Sequence, residues 1–178
     1  MNTKKASPKK NPMTLPLIEK VTINIGVGEA GERLGKAQSV LEDITKQKSI
    51  QTLSRTVSKD LALRKRMPIG CKVTIRGSDA NQFLKNAFET RDNKIADYAF
   101  DKQGNMSFGI PDHTLFKSQK YNPDIGIFGM DVCITMEKPG YRIKRRRIQR
   151  RKIHLRHKID SEETKKFFTD TFHLEVVE

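Results

Sequence analysis

Val21, Ile23 and Ile25 alternate with Thr22 and Asn24, a period of two that predicts a strand with one apolar and one polar face. Past a glycine-rich turn, Leu34, Ala37, Val40, Leu41 and Ile44 recur at helical spacing and predict an amphipathic helix able to cover the apolar side. Ser49 to Leu53 reads as a short strand. Lys72 to Arg76 repeats the first pattern, with Val73 and Ile75 on one face and Lys72, Thr74 and Arg76 on the other. Ala80, Phe83, Leu84, Ala87 and Phe88 mark a second amphipathic helix, with Ser78 or Asp79 available to cap its first turn. GNMSFGI and MDVCITME supply two further strands, separated by a stretch rich in Gly, Pro, Asn and Asp. Asp160, followed three residues later by Glu163, has the form of a capping box ahead of a short helix containing Phe167 and Phe168.

Five strands interspersed with helices, without a regular alternation of the two, predict an α+β fold. Its expected form is a five-stranded, largely antiparallel sheet with helices packed on one face and a polar face left open. The second and third strands are joined by Ser54 to Gly70, a connection long enough to predict a protruding basic loop with a use of its own. At 178 residues the chain predicts one α+β domain over residues 13–178, preceded by a basic disordered tail at 1–12.

The net charge of +14 sharpens this picture because it is unevenly distributed. The tail has Lys4, Lys5, Lys9 and Lys10 and no acid. Residues 46–76 hold nine basic residues against Asp60 alone, and 142–158 hold ten with no acid, so the rest of the chain is net negative. Crowding one sign of charge is unfavourable until a polyanion neutralises it and releases its condensed counterions, which points to nucleic acid. Neutral solvated faces usually interleave both signs. The basic run YRIKRRRIQRRKIHLRHK has no broad apolar stripe for a lipid surface. No apolar run reaches membrane-spanning length and MNTKKASPKK has no apolar leader segment, so no membrane partner and a cytoplasmic location are expected.

Sites for catalysis and cofactors are weak by comparison. Gly26-Val27-Gly28-Glu29-Ala30-Gly31 fits the dinucleotide pattern literally. Yet the strand before it is polar on one face, Glu29 and Glu32 would oppose phosphates, and SIQTLS carries no acid for a ribose. A tight turn explains these glycines better. Cys71 and Cys133 lie far apart and are read as buried or inert thiols. His154 and His157 could share a helix face, but the surrounding Arg and Lys oppose a cation and favour phosphate. No nucleophile and base pairing or acid–base carboxylate pair is apparent, so neither an enzyme, a cofactor, a metal nor a small-molecule substrate is expected. Trp is absent and aromatics make up 7% of residues, so folded RNA recognised by shape fits better than serial stacking on unpaired bases.

The segments IEKVTINIGVGEAG, PIGCKVTIRG, GNMSFGIPDH, YNPDIGIFGMDV and KPGYRI occur in that order. Together they resemble the universal large-subunit ribosomal protein family called L-five in bacteria, from about Asn11 to the C-terminus. The KPGYR stretch and a tail ending FHLEV resemble its archaeal and eukaryotic branch. The resemblance implies a structural protein that binds 5S ribosomal RNA in the central protuberance, beside large-subunit rRNA and neighbouring ribosomal proteins. Carried over by motif, Asn24, Gln47, Thr74, Arg76 and Ser107 would contact 5S RNA. The loop bearing Arg55, Lys59, Leu61, Arg64, Lys65 and Arg66 would reach toward the transfer RNA in the peptidyl site, with Leu61 standing where relatives often carry an aromatic. The composition of the last basic block points to phosphate contacts by Arg142, Lys144, Arg145, Arg146, Arg147, Arg150, Arg151, Lys152, His154, Arg156, His157 and Lys158, and the resemblance implies that the phosphates are those of rRNA.

Overall fold

A computed structural model describes residues 11–117 and 119–177. The described chain runs β1 (Leu17–Gly26), α1 (Glu32–Thr45), β2 (Ile50–Leu53), β3 (Pro68–Ile75), α2 (Ser78–Glu89), β4 (Lys94–Ala96), β5 (Met106–Ile110), β6 (Met130–Glu137), α3 (Arg142–Arg145), α4 (Ser161–Phe172) and β7 (Glu175–Val177). Four lysines of the expected N-terminal tail lie outside the described residues. Its last two residues do not continue as a tail: Asn11 caps a single 3₁₀ turn, Pro12–Thr14.

The five strands of the main sheet are ordered β2-β3-β1-β6-β5 and every neighbouring pair is antiparallel. Alternation decides which side is buried. Val21, Ile23 and Ile25 of β1 share a face with Cys71, Val73 and Ile75 of β3, with Met130, Val132, Ile134 and Met136 of β6, and with Met106, Phe108 and Ile110 of β5. α1 lays Leu34, Ala37, Val40 and Leu41 on that face, and α2 adds Ala80, Phe83, Leu84, Ala87 and Phe88. All of them belong to one contiguous apolar core. Phe88 is its aromatic hub, with ring centroids 5.5 Å from Phe108, 5.9 Å from Phe168 and 5.4 Å from Phe172. No helix among the described residues is long and apolar enough to cross a membrane.

Two short strands lie outside the five expected. β4 and β7 pair in parallel, Ile95 opposite Val176, which attaches the C-terminal end of the described chain beside the turn after α2. Three residues are too few for alternation to be legible in sequence.

Helix starts also differ from the sequence expectation. α2 begins after Gly77, whose φ of 68° a side chain would disfavour, and neither Ser78 nor Asp79 caps it. Asp79 instead accepts a bond from Gln47 Nε2 at 3.3 Å. Asp160 does cap α4, but through the amide of Ser161, and Glu163 turns away from the cap to pair with Lys138. The reciprocal capping box therefore does not form, because a buried ammonium is a stronger partner for Glu163 than an exposed amide.

Gly104, at φ 74°, ties the C-terminal part to the sheet. A Cβ there would stand 2.5 Å from Ile159 Cγ2 and 2.6 Å from Thr164 Oγ1. The Thr164 hydroxyl donates to the Gly104 carbonyl at 3.0 Å. Glycine is required both for the left-handed backbone and for this close approach.

Candidate nucleic-acid interface

The helices α1 and α2 pack on one face of the sheet. On the opposite face Lys72, Ser107, Asp131 and Cys133 are exposed, and among the described residues the segment after α2 borders it at the β5 edge. Its side chains are mostly polar because alternation turns the second set of strand residues outward. Register sets them in rows. Lys72, Asn24, Asp131 and Gly109 lie side by side across β3, β1, β6 and β5, and Thr74, Thr22, Cys133 and Ser107 form the next row. Three of the carried-over residues, Asn24, Thr74 and Ser107, thus share one face, with Thr74 and Ser107 roughly 15 Å apart at the usual inter-strand spacing. Arg76 is exposed just past the end of β3, and Gln47, bonded to Asp79 three residues beyond it, is held near the same end of the sheet. Lys72, Asp131 and Cys133 belong to this surface too. The alternation of KVTIR and MDVCITME announces them, but only the register shows which row each joins.

The loop after β2 is shorter than the seventeen residues expected, because β3 already starts at Pro68. Ser54 closes its base: its amide donates to the Met67 carbonyl at 2.8 Å and its own carbonyl accepts from Arg66 at 2.9 Å. Further out, Ser58 and Leu63 pair as an isolated antiparallel bridge. The result is a small hairpin finger. Arg55, Lys59, Leu61, Arg64, Lys65 and Arg66 are all exposed on it, with Val57 alongside.

The basic segment 142–158 is pinned at both feet. On the outgoing side Arg145 pairs with Glu19 and Glu137. Burial there holds the Glu137 carboxyl above its usual range, an effect that Arg145 only partly offsets. On the returning side the Tyr141 hydroxyl accepts from the Ile159 amide at 3.0 Å and donates to the His157 carbonyl at 3.3 Å. Lys138, buried, bonds Glu163 at 2.5 Å and the Lys158 carbonyl at 3.2 Å. Between these feet α3 is a single helical turn and most of the segment has no regular structure.

The two histidines expected on one helix face are not so placed. His154 precedes a short 3₁₀ turn and accepts from the Arg156 amide, whereas the His157 ring turns inward to the Pro139 carbonyl at 2.8 Å. His157 therefore serves as a fastener of the loop in this structure, and Arg145 has carboxylate partners of its own. Arg142, Lys144, Arg146, Arg147, Arg150, Arg151, Lys152, Arg156 and Lys158 are exposed, and none takes part in a side-chain ion pair among the described residues.

The glycine-rich turn also has its own structural employment. The amides of Val27 and Gly28 donate to the Ile69 carbonyl at 3.0 and 2.8 Å, so those donors are directed at strand β3 instead of outward to a pyrophosphate. Gly28 and Gly31 adopt positive φ, as the turn demands. Among the described residues no group of three or more His, Cys, Asp or Glu is arranged to hold a metal ion.

Of the two thiols, Cys71 is buried against the helices and Cys133 is exposed on the open sheet face. Partial desolvation and the neighbouring Asp131 raise the Cys133 thiol above its ordinary value, which keeps it protonated at neutral pH. Burial, with the negative Glu42 adding, pushes Cys71 up to about 11. The unfolded thiol ionises near 9.0, so this contribution to stability is complete below about pH 9 and is lost as the pH rises toward 11. Wild type should consequently lose up to about 2–3 kcal/mol more unfolding free energy than Cys71→Ala over that interval. Urea titrations of both proteins check this, and identical pH dependence would contradict it.

An open, polar sheet face, a basic finger at one edge and a pinned arginine-rich loop place the chain in a class: basic, one-sided α+β proteins with surface chemistry suited to a polyanion. Comparison with known proteins narrows it. Residues 11–64 match the family model described as "Ribosomal protein L5", and residues 68–167 match the model of the same ribosomal family's C-terminus. Proteins named "Large ribosomal subunit protein uL5" from Thermoplasma acidophilum, Methanobrevibacter smithii and Methanococcus aeolicus are 51%, 47% and 45% identical to it. Each alignment takes in 94% of this chain and 99%, 98% and 94% of the respective relative. The chain belongs to the ribosomal protein L5 family, and as a ribosomal protein it is not an enzyme.

Proposed function

We propose that this protein is a structural constituent of the large ribosomal subunit that binds 5S ribosomal RNA in the central protuberance through its open sheet face. The finger of residues 54–67 reaches toward the transfer RNA in the peptidyl site, and the loop of residues 142–158 takes rRNA phosphates. The observation that carries this reading is the common placement of Asn24, Thr74 and Ser107 on the polar face of the sheet, opposite α1 and α2. Hydroxyl and amide groups there can meet sugars and phosphates without a desolvated charge, while Arg76 and the basic segments at the margins supply the attraction. Gln47 joins them from the α1 end of the sheet. Neighbouring ribosomal proteins would complete the assembly.

Filter binding to 5S RNA tests the proposal. Affinity should fall steeply with salt, and Arg76→Ala should weaken it by roughly 1–3 kcal/mol because it removes a charge-assisted contact. Equal affinity for an unrelated duplex of the same length would count against a 5S-specific role. For the finger, removing the charges of Arg55, Arg64, Lys65 and Arg66 should leave 5S affinity nearly intact while weakening peptidyl-site transfer RNA retention on assembled particles.

A further inference from the structure

An RNA-facing surface has no use for a carboxylate against phosphate, yet Asp131 stands exposed in the middle of the open sheet face, in the same row as Asn24 and Lys72. It makes no ion pair among the described residues. Beside it, along edge strand β5, runs a cleft of about 400 Å³ lined by Ser107, Gly109, Asp131 and Cys133 on the sheet and by Arg91, Ala96 and Tyr98 from the segment after α2. A cleft of this size lies within the range of roughly 300–1,000 Å³ usual for small-ligand sites. Tyr98 is 92% exposed, the most exposed large apolar side chain described, and its ring pairs with no other aromatic among the described residues. Gly109, which has no side chain, lies on the cleft floor beside Asp131.

We infer that this cleft receives one unpaired guanine of the bound RNA, read by Asp131 and stacked on Tyr98. The chemistry selects the base. An ionised carboxylate is an acceptor only, with two oxygens side by side. Guanine presents two adjacent donors, N1–H and N2–H, on its Watson–Crick edge. Cytosine and adenine present one amino donor beside a ring-nitrogen acceptor that repels the second oxygen, and the uracil N3–H is flanked by two carbonyls. Arg91, also unpaired by any described carboxylate, supplies positive charge for the phosphate of the same nucleotide. A single stacked base is compatible with an otherwise aromatic-poor surface, because it asks for only one exposed ring.

The inference rests on 5S RNA binding as proposed above, and the sign of one substitution separates the two. If charge alone governs this face, Asp131→Asn removes a repulsion and binding to 5S RNA strengthens or stays constant. If Asp131 reads a guanine, the same change lowers affinity by roughly five- to a hundredfold while leaving the slope of log affinity against log salt unchanged. Tyr98→Ala should weaken binding and Tyr98→Phe should restore it, since stacking needs the ring and not the hydroxyl. Both sites are exposed, so folding is not at issue, and circular dichroism verifies that. Kethoxal, which attacks N1 and N2 of unpaired guanine, should find one guanine of 5S RNA protected by wild type and released by Asp131→Asn. Unaltered or higher affinity of Asp131→Asn, or the same kethoxal pattern with both proteins, overturns the guanine site while leaving 5S binding standing. Failure of wild type to bind 5S RNA at all overturns both.

Discussion

Replacing Arg147, Arg150, Arg151 and Lys152 together by glutamine should lower affinity for 5S-containing rRNA by between about ten- and a thousandfold at moderate salt. The four are exposed in the span between the two pinned feet of the basic loop, and none is engaged in an ion pair among the described residues. The fold should therefore not notice the change: surface substitutions away from caps, cores and networks alter stability by only about 0.5 kcal/mol either way. RNA should notice it twice. A phosphate that no longer meets a cation keeps its condensed counterion, so the salt slope should flatten by about 0.7–0.9 per phosphate as well as the affinity falling. Titrations from about 50 to 200 mM salt read both quantities. Arg145→Gln is the informative contrast, because Arg145 is bound to Glu19 and Glu137. Its removal should lower stability by freeing one foot of the loop and flatten the salt slope less than removal of an unpaired arginine does. An unchanged slope for the fourfold variant would show that the loop does not meet phosphates.

Phe88→Ala is expected to be the most damaging single truncation for the fold, at about 3–5 kcal/mol. Phe88 is 1% exposed. It touches the sheet through Phe108 and the C-terminal helix through Phe168 and Phe172, the last two edge to face. Deleting the ring loses its transfer free energy, leaves a cavity between α2, α4 and β5, and removes aromatic pairs worth about 0.5–1.5 kcal/mol each beyond burial. For a chain of this length the melting temperature should drop by roughly 8–15 °C. Phe167→Ala, at a position only partly buried against the same core, should cost clearly less. A similar small loss for both would mean that α4 is not packed on the sheet through Phe88. The consequence for function is indirect: α4 supplies Glu163 to the buried Lys138, so loosening this core also loosens the returning foot of the basic loop.

How much of this was legible beforehand depends on the range of the interactions concerned. Alternation and helical spacing are local properties, and with them Val21, Ile23 and Ile25, the apolar stripe of α1, Phe83 to Phe88 and the strand MDVCITME all declared their inward faces. Charge is likewise countable residue by residue, so the sequence alone determined that residues 46–76 and 142–158 carry an excess needing a polyanion. It also determined, through its succession of motifs, the family to which the chain belongs. Partners that meet only across the fold were not legible. Nothing near Arg145 in the chain announces that Glu19, 126 residues away, will hold it, nor near Lys138 that burial will draw Glu163 out of its capping box. The parallel pairing of β4 with β7 and the inward turn of His157 have the same origin. Asp131, Tyr98 and Arg91 became neighbours for this reason too. Burial and desolvation depend on which distant segments exclude water from a group, and that is decided only when the chain has closed on itself.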